Sequence, residues 1–122
     1  MKLKLFMAKP TAYDVFISML KNFPEGKTTF RADYCDIIDF LSKRREQYPL
    51  LSRFTRDEIE GGLGILIGAG MLQWNTVSPH IKDFKPSQIN HAFAYYHKSE
   101  LFGEKDLEEI AKLSREFIKK FA

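Results

Sequence analysis

The sequence predicts a mainly α-helical single domain carrying one small β-hairpin, and three observations predict it. Five segments repeat apolar residues at three- and four-residue intervals, the period of a helix with one buried face. Between residues 71 and 84 that period gives way to β-prone residues, MLQWNTV, followed by a proline-containing loop. The 122 residues are 44% apolar, with eleven Phe and five Tyr, which suffices for one hydrophobic core and excludes a disordered chain.

Residues 2–7, KLKLFM, fit either a short strand or an ordered arm. From Pro10, PTAYDVFISMLKNF has helical spacing, with Ala12, Phe16, Met19, Leu20 and Phe23 along one side. Thr11 and Asp14 make a capping pair, and Pro24, Glu25 and Gly26 end the helix. Residues 27–30, KTTF, are short and β-prone. A second helix is predicted over 31–47, buried through Phe30, Tyr34, Ile37, Ile38 and Leu41. Asp33, Asp36 and Asp39 recur on its other side and read as a solvated face, since no His or further carboxylate completes a metal set. Cys35 is expected as a small buried core residue. As the sole cysteine it excludes an intramolecular disulfide and points to a reducing, cytoplasmic setting.

Pro49 stops the second helix because the residue before a proline disfavours helical geometry. LLSRF follows as a linker. A third helix then starts at the T-x-x-E capping box of Thr55 and Glu58, with Ile59, Leu63, Leu66 and Ile67 facing the core. Gly70 suits a left-handed helix end, Leu72 begins a strand, and His80 to Phe84 provide the return strand. Ser87 caps a further helix, SQINHAFAYYHKSELF, with Ile89, Phe93 and Tyr96 on one side, and Gly103 breaks it. The last helix, from Glu104, carries Leu107, Ile110, Ala111, Phe117, Ile118 and Phe121 at helical spacing and runs from acidic to basic, as its dipole favours. No repeat, low-complexity tract or linker divides the chain.

The order helix, short strand, helix, helix, hairpin over residues 10–85, with the Leu-x-x-Leu-x-x-x-Gly-x-Leu spacing at 63–72, resembles the winged-helix (helix-turn-helix) DNA-binding superfamily. The resemblance implies a winged-helix core plus two C-terminal helices. It also implies a third helix that docks in the major groove of double-stranded DNA, and an extension at 87–121 that pairs two subunits into a homodimer. The stripe Leu107, Ile110, Phe117, Ile118 and Phe121 fits either the core or a dimer contact, and at least part of it is expected as the dimer contact. Two features depart from the family's pattern. The exposed start of the third helix, Arg56, Asp57, Glu58, Glu60, Gly61 and Gly62, is acidic and glycine-rich where readers of DNA carry polar or basic side chains. The connection at 48–54 is also longer than a tight helix-turn-helix turn.

Net charge is +3 with a pI near 9.0, mildly basic. Distribution matters more, because Lys43, Arg44, Arg45, Arg53 and Arg56 form the densest positive cluster. With Thr55, and with Lys82 and Lys85 on the wing, these residues are the candidate DNA contacts. The same cluster suits solvated charges at a helix end. Trp74 is expected to pack beneath the wing. Glycines at 61, 62, 64 and 68 each cost a helix about 0.5–1 kcal/mol relative to alanine. The Gly61–Gly64–Gly68 face is expected to admit a close neighbour, either the C-terminal helices of the same fold or another backbone, DNA or a partner helix. ILIGAG at 65–70 lacks the third glycine and the distal acid of a dinucleotide fingerprint. His80, His91 and His97 make no metal spacing, so neither metal nor cofactor is predicted, and no catalytic residue. No segment reaches the length of a membrane span, and no signal peptide is evident.

Two readings follow. A non-enzymatic, dimeric transcriptional regulator that binds DNA is favoured. A winged-helix-like protein-interaction module, working through the glycine-rich third helix, is the alternative.

Overall fold

Capping boxes set two of the helices where the sequence places them. In the computed structural model, which describes residues 9–24, 29–69, 72–74, 80–84 and 101–122, α1 spans Ala12–Lys21. Thr11 Oγ1 accepts from Asp14 N at 3.2 Å, and Asp14 Oδ2 accepts from Thr11 N at 2.9 Å. The expected one-sided burial is exceeded, because Val15 and Ile17 are as buried as Phe16, Met19 and Leu20. Other helices pack on α1 from more than one side, which makes it the central helix. Ser18, also buried, is satisfied by donating to Asp14 O at 2.9 Å.

Strand β1 covers Thr29–Asp33 and α2 covers Tyr34–Lys43. The predicted second helix therefore starts too early: residues 31–33 are extended, recruited by pairing with a later strand. Asp36 Oδ2 accepts from Asp33 N at 3.4 Å at the new helix start. Cys35 is exposed rather than buried, since it shares the outward side of α2 with Asp39, one turn on. Beyond Arg44 the chain turns, and Tyr48 N donates to Arg44 O at 3.0 Å.

The expected linker contains a single helical turn, α3, Pro49–Ser52, with proline at its first position and both leucines buried. Next, α4 spans Arg56–Gly68. Thr55 Oγ1 accepts from Glu58 N at 3.1 Å and Glu58 Oε1 accepts from Thr55 N at 3.0 Å. Ile59, Leu63 and Leu66 are buried, and Ile67 partly so.

Strands β2, Leu72–Trp74, and β3, His80–Phe84, pair antiparallel, and β3 also pairs antiparallel with β1, giving the order β1-β3-β2. Ala32 lies opposite Ile81 on one side, and Leu72 opposite Phe84 on the other. Helix α5 spans Glu104–Phe121. It is integral to the core. Phe117, fully buried, stacks edge-on or tilted against Phe16, Phe23, Phe30, Phe40 and Phe121, with ring centroids 4.9–6.0 Å away. The architecture of the described residues is mainly helical. The arm at 2–7, the cap at Gly70, the tip at 75–79 and the helix expected from Ser87 lie outside the described residues, as does the Trp74 ring.

Candidate functional site

Three of the four candidate arginines have intramolecular carboxylate partners. Arg53 Nη2 lies 3.1 Å from Asp106 Oδ1, and Nη1 lies 3.5 Å from Oδ2. Arg56 Nη2 lies 2.9 Å from Asp39 Oδ1, joining α4 to α2. Arg44 donates from Nη1 to Phe40 O at 3.0 Å, covers the Phe40 ring at 3.6 Å, and holds its Nε 3.5 Å from Glu116. That last contact is an ion pair without hydrogen-bond alignment, since Nε has no acceptor. Lys43 is exposed and Arg45 is half-buried, its Nε without an acceptor. Thr55 spends its side chain on the α4 cap. Lys82 lies in β3, and Lys85 is outside the described residues.

The partners of these arginines come largely from α5. Asp106, Glu109 and Glu116 fall on one face of that helix, and all three reach the 44–53 connection. Glu109 Oε2 accepts from Leu50 N at 2.8 Å, capping the turn α3. Glu116 accepts from the Tyr48 hydroxyl. Burial first, and then this hydrogen bond, push the Tyr48 phenol up to about 12. Sequence reading credited the arginines to DNA and missed this clamp. The acids of the last helix at 106, 109 and 116, which share one face, were the available signal.

The stripe assigned to a dimer contact needs correction in the same terms. Ile110, Phe117 and Phe121 are buried within the single chain, because α1, α2 and β1 already cover that side of α5. Only Leu107 is exposed, with Ile118 partly so.

On α4 the outward face is the reverse of a basic surface. Asp57 and Glu60 are exposed, followed by Gly61, Gly64 and Gly68, and a Cβ built at any of these glycines meets nothing among the described residues within 4 Å. Among them stands Ile65, 56% exposed. Beside it an open groove runs between α4 and the start of α1, lined by Pro10, Tyr13, Phe54, Gly61, Ile65 and Ala69 among others. Gly62 differs. A Cβ there would lie 2.7 Å from Tyr13 N, so this glycine lets α1 and α4 approach.

Other candidate chemistry is absorbed by the structure. Asp33, Asp36 and Asp39 belong to caps and an ion pair, and among the described residues no three His, Cys, Asp or Glu side chains are grouped to hold a metal. Tyr34 donates to Glu60 O at 3.3 Å, and its phenol is raised, by burial first and then by the Glu60 charge. Among the described residues no helix is long and apolar enough to cross a membrane. Comparison with protein-family models, with curated proteins and with solved structures finds no match in any of the three.

Proposed function

We propose that this chain is a non-enzymatic protein-interaction module with a winged-helix-type core, in which the exposed face of α4 receives a partner helix. The observation that carries it is the composition of that face: an exposed Ile65 framed by Gly61, Gly64 and Gly68, with nothing among the described residues within 4 Å of a Cβ built at any of the three glycines. Interior glycines weaken a helix, and nothing among the described residues uses these three. A partner helix that lays an apolar ridge against the glycines would use them. Asp57 and Glu60 at the rim favour lysine or arginine on that partner. The element order and the strand order β1-β3-β2 support the winged-helix comparison. Major-groove reading by α4 has less support, since Arg56 is paired with Asp39 and its neighbours are acidic.

The test is a photo-crosslinking side chain at Ile65 in the 122-residue chain, in its native cell extract. A discrete protein adduct is expected, lost when Gly61→Gln or Gly64→Gln fills the face and kept when Leu107, exposed on α5, is changed to Gln. Adducts insensitive to both glycine substitutions, or adducts to DNA, would overturn the reading.

A further inference from the structure

The molecule's positive charge converges on a surface that neither α4 nor the sheet provides. Residues 40–46 and 112–122 together hold seven lysines and arginines against two glutamates, a net of +5 where the whole chain carries +3. The fold brings these segments side by side. The Phe40 ring lies 5.7 Å from Phe117 and 5.4 Å from Phe121, and Arg44 pairs with Glu116. Lys43, Lys112, Arg115, Lys119 and Lys120 are exposed. Among the described residues none of them forms an ion pair, and neither does Arg45. Part of this charge answers the helix dipoles, since Lys43, Lys119 and Lys120 occupy last turns. Dipole complementarity acts within one turn and does not account for Lys112 and Arg115.

We infer that this surface, built by the ends of α2 and α5, binds the phosphate backbone of a nucleic-acid duplex without reading its sequence. A row of mobile cations releases condensed counterions from a polyanion, which a single small anion does not offer. Two absences among the described residues select the duplex. The exposed large apolar side chains are Ile65 and Leu107, neither on these segments, so no apolar anchor for a lipid surface accompanies the charge. The aromatic rings here, Phe40, Phe117 and Phe121, are buried in the core, so no platform for stacking unpaired bases is present. The inference stands apart from the α4 reading, because the two surfaces share no residue.

Fluorescence anisotropy of short labelled DNA and RNA duplexes of arbitrary sequence, titrated with the full chain at stepped salt, tests it. Retention at low salt that weakens steeply with added salt is expected for one or both duplexes, and the two arms tell which nucleic acid supplies the phosphates. Arg115→Gln, Lys119→Gln and Lys120→Gln together should flatten the log–log salt slope by about two to three units, near one for each lost phosphate contact. Lys43→Gln with Lys112→Gln repeats the test from the other segment, and Ile65→Asp should leave the slope unchanged. Circular dichroism verifies that each variant is folded. No retention at low salt, a slope indifferent to both sets, or binding to phosphatidylserine vesicles without binding to either duplex would overturn the inference.

Discussion

Neighbouring glycines in α4 have opposite roles. Gly62 faces α1 with no room for a methyl group, whereas a methyl group at Gly61 or Gly64 meets nothing among the described residues. Gly62→Ala should therefore lower stability, because the clash is with backbone that cannot rotate away. Gly61→Ala and Gly64→Ala should each raise it by about 0.5–1 kcal/mol. Urea unfolding of the three variants checks both signs. The sequence showed that four glycines in one helix needed a reason, but not which of them met a neighbour. That distinction depends on where α1 crosses α4, and no local spacing encodes it. Cys35 failed for a related reason: beside Tyr34 and Ile37 in sequence, it still points to the outer side of α2.

At the scale of elements, helix starts were legible and helix partners were not. Thr11 with Asp14 and Thr55 with Glu58 announce themselves through a three-residue spacing, because a cap is closed by local bonds alone. Residues 31–33 read as helix but extend, since pairing with β3 outweighs local preference. The 48–54 connection read as a linker because its order comes from α5, more than fifty residues away. The Tyr48–Glu116 bond gives that clamp a pH signature. Its phenol is raised from 10.0 to about 12 in the folded chain, so the unfolded chain releases this proton first. The contribution is fully present below pH 10 and is lost as pH rises through about 12. The stability advantage of the parent protein over Tyr48→Phe should shrink across that interval, as followed by denaturant unfolding in alkaline buffers.

For the whole molecule, the decisive point is that α5 belongs to the core. An amphipathic helix at the end of a chain looks the same in sequence whether it meets its own domain or a second subunit. Only the contacts of Phe117 with Phe16, Phe30 and Phe40 separate the two. Phe117→Ala should cost about 3–5 kcal/mol, the range for truncating a buried aromatic ring. The loss should be the same at every protein concentration, whereas an intersubunit role would make it vary with concentration. Thermal unfolding over a dilution series measures this. The mainly helical character was legible from periodicity. The candidate surfaces were legible only as composition, because which arginines are left unpaired depends on where the acids of α5 land.

The position of Phe117 also bears on how the chain acquires its shape. The ring at the centre of the aromatic cluster is about a hundred residues from Phe16, so closing the core requires a long loop. During synthesis α1, β1 and α2 are made before the helix whose Phe117 covers their aromatic faces. Until Phe117 joins them, those apolar faces are exposed and open to non-native association.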